Sequence, residues 1–149
     1  FKQVINLCAG AGRRENEGTW IVRDMIDAYC RLHENGYAHS VEAWKDGILA
    51  GGLYGVSLGR CFFGESMFTL ESNASKVAFA CLAEYLKENS FGLIDCQVST
   101  GHLKRFGARE IPRSLFLKQL KKSLALPTLK GKWKSLLLRS NTEIRVKPH

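Results

Sequence analysis

Between residues 21 and 35 the apolar side chains Ile21, Met25, Ile26, Tyr29 and Leu32 recur at three- and four-residue intervals, the spacing that gathers them on one side of a helix. A helix is predicted over 24–35, with Gly36 ending it. The pattern then changes period. Residues 39–45 (HSVEAWK) alternate and run into Asp46-Gly47, a hairpin signal. A second strand follows over 48–57, Leu58-Gly59 turns, and a third strand over 60–65 completes an antiparallel meander. Helical spacing returns over 72–87, where Ser72 or Asn73 can cap and Val77, Ala78, Cys81, Leu82, Tyr85 and Leu86 form the apolar face. Residues 92–98 (GLIDCQV) read as a strand buried on both sides, the kind found at the centre of a sheet. A short helix over 101–106 ending at Gly107, an edge strand near 108–111 and a last helix from about 113 to 122 close the compact part.

This order describes an α+β layer fold, with helices packed on a mixed, mostly antiparallel sheet. A chain of 149 residues, 45% apolar, suits one domain. It holds no apolar run of membrane-spanning length, and its opening stretch, FKQVINLCAGAGRRENEG, has neither an initiator Met nor the order of a signal peptide. A cytoplasmic protein is expected, monomeric and either a processed product or a fragment. The five cysteines (Cys8, Cys30, Cys61, Cys81, Cys96) show no CxxC and no ligand spacing, so reduced thiols and no metal site are expected. Charge changes the picture further. Residues 1–117 are balanced, with 13 basic and 13 acidic residues, whereas 118–149 hold nine basic residues against Glu143. The expected division is a catalytic body over 1–122 and a basic tail over 123–149, anchored by Trp133 and the apolar run 135–138. Such a tail is an electrostatic handle for a polyanion, nucleic acid before membrane.

Two carboxylates stand in apolar company. Asp95 lies in GLIDCQV, and Glu65 lies at the end of a strand among Phe62, Phe63, Met67 and Phe68. Such groups cost several kcal/mol unless paired or protonated. Each acid alone could salt-bridge an arginine; both together point to a site for a cationic ligand. In a strand Asp95 and Gln97 share one face, with Ile94 and Cys96 on the other, so the carboxylate and amide could orient an amine and relay its proton. Cys96 is expected to point into the packing, with His102 the nearest candidate partner, which disfavours a thiol nucleophile. His39 reads as a structural hydrogen-bonding residue. Gly51, Gly52 and Gly55 within one strand mark a bulge or a close backbone approach by a ligand. There is no GxGxxG and no P-loop. The aromatic residues Trp20, Tyr29, Tyr37, Trp44 and Tyr54 read first as core, and second as platforms for a base.

The segments GTWI (18–21), AYCRLHENGYAHSVEAW (28–44), GGLYGV (51–56), GESMF (64–68), NASK (73–76), LIDCQV (93–98) and GAREIPR (107–113) resemble, in order and spacing, the bacterial leucyl/phenylalanyl-tRNA–protein transferases. The likeness covers about residues 1–120. It implies an acyl-CoA N-acyltransferase-like fold and transfer of Leu or Phe from Leu-tRNA or Phe-tRNA to the N-terminal Arg or Lys of an acceptor protein, marking it for N-end-rule degradation. By the same resemblance, Asp95 and Gln97 orient and deprotonate the acceptor amine, and Glu65 places the cationic acceptor. Leu53, Phe62, Met67, Leu82 and Ile94 form the pocket for the donated side chain, while Trp20 and Tyr29 lie near the 3′ adenosine. The ester is already activated, so no cofactor or metal is implied. Family members begin with a smaller N-terminal domain that nothing before Phe1 matches. That feature carries the alternative expectation, a truncated relative that binds tRNA or N-terminal Arg/Lys peptides without turnover. A small-molecule acyltransferase using acyl-CoA is disfavoured because the chain lacks the Q/RxxGxG/A pyrophosphate loop.

Overall fold

The computed structural model describes residues 1–11, 19–131 and 133, and the backbone of 144–145. The run 135–138 and most of the tail's basic residues lie outside this set. Helices α1 (Lys2–Gly10) and α2 (Arg23–Glu34) come first, then strands β1 (Ala38–Lys45), β2 (Ile48–Leu58) and β3 (Cys61–Thr69). Helix α3 (Ala74–Glu88), strand β4 (Leu93–Asp95), helices α4 (Gly101–Arg105) and α5 (Arg113–Leu124) and strand β5 (Ile144–Arg145) follow. The meander forms as the pattern predicts. Asp46 and Gly47 turn it with φ of 50° and 77°, the left-handed pair that a two-residue hairpin requires. Gly36, at φ 77°, ends α2.

The strand order is β4-β3-β2-β1-β5, antiparallel except for the parallel pair β3–β4 joined through α3. Three expectations change here. GLIDCQV is not central: β4 is a three-residue edge strand, half-buried, because the chain turns away immediately after Asp95. Residues 108–111 form no strand; β4 holds that edge instead. Asn73 takes the N-cap position of α3 at φ 65°, but its side chain makes no cap bond and accepts from Lys76 Nζ at 2.8 Å. The pattern also missed α1, which buries Val4, Ile5, Cys8 and Ala9.

Helices cover both faces of the sheet. On one, α3 sets Ala78, Cys81, Leu82 and Leu86 against Val41, Ala43, Leu53 and Phe62. On the other, α1 buries Val4 and Ile5, with Ile21 from the segment before α2, against Ala38, Leu49, Tyr54 and Phe68, and Ile26 and Tyr29 of α2 pack on them half-buried. Each fully buried large side chain contributes about 1.5–3 kcal/mol. Glycines in β2 serve these contacts. A Cβ on Gly51 would lie 2.6 Å from Ala74 Cβ, and one on Gly55 would lie 2.5 Å from the Phe62 ring. Close chain packing, rather than a ligand, accounts for them.

Trp133 belongs to the α3-side core, 3% exposed, stacked at 3.9 Å on His39 and at 4.8 Å on Tyr85. His39 is buried with Nε2 unpartnered among the described residues. Burial, with His33 adding, pulls its pKa down from 6.5 to about 4. Between those values the folded state binds fewer protons than the unfolded one. His39 therefore contributes full stability above about pH 6.5 and loses it as pH falls towards 4. Urea unfolding at pH 7.5 and 4.5 should show a loss on the order of 3 kcal/mol that the His39→Gln variant largely escapes. Equal pH dependence in both proteins would contradict this assignment.

Candidate functional site

The register of β3 contains the feature that builds the site. Tyr54 pairs with Ser66 and Gly55 with Gly64, so Glu65 is an extra, unpaired residue, a β-bulge. Bulges re-aim side chains and often lie beside functional sites. Its effect is visible in the packing: Phe62 and Met67, an odd number of residues apart, both face α3, which unbroken alternation forbids. Glu65 is therefore not at a strand end, as the pattern implied, but inside a strand at its one break in pairing with β2.

Beside the bulge, β3 and β4 part. Their ladder ends at Phe63–Asp95, while β3 continues to Thr69. A crevice of about 270 Å³ opens there, between the edge of β3 and residues 96–103. Leu53, Phe62, Met67, Leu82 and Ile94 line it, joined by Phe79, Val98 and Leu103. Glu65, Gln97, Ser66, Thr100 and His102 supply its polar groups, and among the described residues no Lys or Arg lines it. Seven of the ten expected site residues thus meet in one cavity. The other three lie outside its lining. Trp20 is 52% exposed. Tyr29, on α2, hydrogen-bonds Glu65 and meets the Tyr54 ring edge-on at 5.3 Å. The third is Asp95.

Asp95 and Gln97 do not share a strand face. The strand stops at Asp95, and Gln97 takes φ 59°, a left-handed conformation costly for a residue with a side chain. Val98 N–H donates to Cys96 C=O at 2.6 Å, closing a three-residue turn around Gln97. Asp95 Oδ1 accepts from Gln97 N–H at 2.8 Å, the local side-chain bond that stabilises such turns. The two residues remain coupled, but through the backbone: the carboxylate holds the turn, and the turn delivers the exposed Gln97 amide to the crevice. Sequence spacing could not show this, because a two-residue separation means a shared face only while the strand persists. Cys96 also differs from expectation, since it lines the crevice instead of facing the packing.

Burial, then the hydrogen bond and charge of Glu65, push the Tyr29 hydroxyl upward, and burial does the same to Tyr54. Both phenols stay protonated at neutral pH, and Tyr29 remains a donor to the Glu65 carboxylate. Burial and the Asp95 charge raise the Cys96 thiol, the opposite of what an activated nucleophile needs. Among the described residues no three metal-ligating side chains converge. Residues that pattern-reading missed, notably Phe79, Thr100 and Leu103, come from two elements, α3 and the capped start of α4. Only Thr100 left a local signal, as the cap of α4 through Leu103 N–H at 3.1 Å.

Residues 1–121 match the family model described as leucyl/phenylalanyl-tRNA protein transferase. Among curated proteins, the chain is 60% identical over 133 residues to a leucyl/phenylalanyl-tRNA–protein transferase of Desulfatibacillum aliphaticivorans, covering 89% of this chain and 57% of that protein. One from Syntrophus aciditrophicus (strain SB) is 60% identical, with 89% and 56% covered, and one from Thermodesulfovibrio yellowstonii is 56% identical, with 89% and 54% covered. The chain thus spans little more than half the length of these relatives.

The Asp95 charge is open to direct test. Replacing it by Asn keeps an acceptor for Gln97 N–H while removing the charge that raises the Cys96 thiol. Iodoacetamide labelling followed by peptide mass spectrometry should show Cys96 of Asp95→Asn alkylated about two- to tenfold faster at pH 8. An unchanged rate would place the carboxylate too far from the crevice to act on it.

Proposed function

Because the chain belongs to the leucyl/phenylalanyl-tRNA protein transferase family, we propose that its crevice joins Leu or Phe, carried on tRNA, to the N-terminal Arg or Lys of an acceptor protein. The observation that carries this reading is the composition of the crevice. An apolar end large enough for one side chain adjoins a carboxylate and an amide, and among the described residues no Lys or Arg lines it to repel a cation. Leu53, Phe62, Met67, Leu82 and Ile94 take the donor side chain. Such a pocket tolerates Leu and Phe alike, because one methylene is worth only about 1–3 kcal/mol of discrimination. Glu65, held by Tyr29, attracts the acceptor's cationic side chain.

In the reaction the acceptor α-amine attacks the ester carbonyl carbon, the bond to the ribose 3′ oxygen breaks, and the amine's proton passes to that oxygen. Gln97, a neutral amide, orients the amine by accepting one of its N–H bonds. The Asp95 charge behind the turn favours the positive charge that develops on the attacking nitrogen. The ester is activated before it arrives, so these residues supply positioning and electrostatics. Trp20, exposed beside the first turn of α2, offers a face to the terminal adenosine. The parting of a parallel strand pair, where an acyl donor can enter a layered mixed sheet, supports an acyl-CoA N-acyltransferase-like fold over residues 1–122. The basic residues of 123–149 contact phosphates of the tRNA acceptor stem, a positioning role that needs no base recognition. The protein acts as a monomer in the cytoplasm, where its aminoacyl-tRNA donor is made, and its product enters N-end-rule degradation.

Transfer of radiolabelled leucine from Leu-tRNA to an Arg-initiated peptide tests this reading, with the chain alone and with the amino-terminal part of a relative added in trans. Label in the peptide is expected; retained tRNA without transfer would overturn the catalytic reading. In the active preparation, Gln97→Ala and Asp95→Asn should lower kcat about tenfold or more with little change in acceptor KM. Glu65→Gln should instead raise acceptor KM about tenfold at nearly constant kcat. Interchanged effects would contradict the assigned roles.

A further inference from the structure

The edge of β3 beyond Phe63 is the least explained backbone beside the crevice. Strand β2 pairs with one side of residues 64–69, whereas β4 stops at Asp95; among the described residues nothing pairs with the other side. Unpaired strand edges of this kind accept an added strand.

Gly64, the first residue past the ladder, points the same way. Its φ is not in the left-handed region, and a Cβ there would meet only Asp95 O, at an ordinary 3.6 Å. Neither conformation nor internal crowding requires glycine at this position, in contrast to Gly55, where a Cβ would lie 2.2 Å from Phe63 O. Gly64 lines the crevice. A missing side chain in a strand lets another backbone approach closely.

We propose that the acceptor's main chain binds as an additional strand along residues 64–69, crossing Gly64 with its N-terminal amine towards Gln97. This rests on the transferase reading above and specifies how that site holds its protein substrate. Two observations select a peptide with a cationic start as the occupant. Glu65, in a lining that holds no Lys or Arg among the described residues, matches a positive N-terminus. Acceptors that share only their first residue can be held in common only through groups that every chain has, and strand addition draws its affinity from main-chain N–H and C=O groups. The bulge adds a consequence: with Glu65 set out of the regular register, the acceptor's first side chain meets a carboxylate while its following residues meet a regular edge.

The test uses a fluorescein-labelled peptide beginning with Arg and a series in which one amide at a time, at residues two to six, becomes an ester or an N-methyl amide. Binding is followed by anisotropy and transfer by radiolabelled leucine. Strand addition predicts a two-residue period: changes at alternate positions weaken binding and raise KM about fivefold or more, and those between have less than a twofold effect. The Gly64→Val variant should keep the parent's thermal midpoint and bind the unmodified peptide at least tenfold more weakly. A flat profile across the series, with the unmodified peptide still bound or labelled, overturns strand addition and leaves the transferase reading standing. An unmodified peptide neither bound nor labelled overturns both. Gly64→Val with unchanged peptide affinity also sinks the proposal.

Discussion

Everything at the site depends on one extra residue in β3. The Glu65 bulge breaks the pairing of β3 with β2 at Tyr54–Gly55, turns an odd spacing into a shared face for Phe62 and Met67, and sends a carboxylate towards Tyr29. It lies just where β3 loses its other neighbour, because the β4 ladder ends at Phe63. An apolar pocket and an acid thus occupy the same few ångströms of sheet edge. Without the inserted residue, Phe62 and Met67 would face opposite layers, and the pocket could not be assembled from one strand.

The second constraint is the turn after β4. Asp95 is close to the crevice without lining it, and its carboxylate holds Gln97 N–H in a left-handed turn. Strain of this kind persists only where surrounding contacts enforce it, and here the enforcing contact is the carboxylate itself. Its charge extends to Cys61 and Cys96, raising both thiols alongside their burial. One acid therefore fixes a geometry and contributes a field. The cysteines beside it are kept chemically quiet.

Much of the fold was legible because it is local. The α2 stripe ending at Gly36, the Asp46-Gly47 hairpin and the α3 face each follow from side chains within a turn or two of one another. Helix α1 carried a readable spacing in Val4, Ile5 and Cys8, but its N-cap residue, Phe1, makes no cap bond and gave no start signal. Strand order was not legible. An apolar run such as GLIDCQV looks central when its burial comes from helices and an edge crevice, and only non-local pairing distinguishes the two. The apolar lining was named through family resemblance and meets in one cavity, whereas the bulge was expected among the β2 glycines and lies across from Gly55, at Glu65 of β3. Its signal was present in the odd interval between Phe62 and Met67. Asp95 and Gln97 were read as sharing a strand face; the structure joins them instead through the backbone of a turn.

The most direct measurement is a crystal structure with a non-hydrolysable leucyl-adenosine amide and an Arg-initiated peptide bound together. The leucyl side chain should lie against Phe62, Met67 and Leu82, with the peptide amine within hydrogen-bond distance of the Gln97 amide and the Arg side chain paired with Glu65. A donor side chain bound elsewhere, or an amine approaching from a side that neither Glu65 nor Gln97 reaches, would contradict the account.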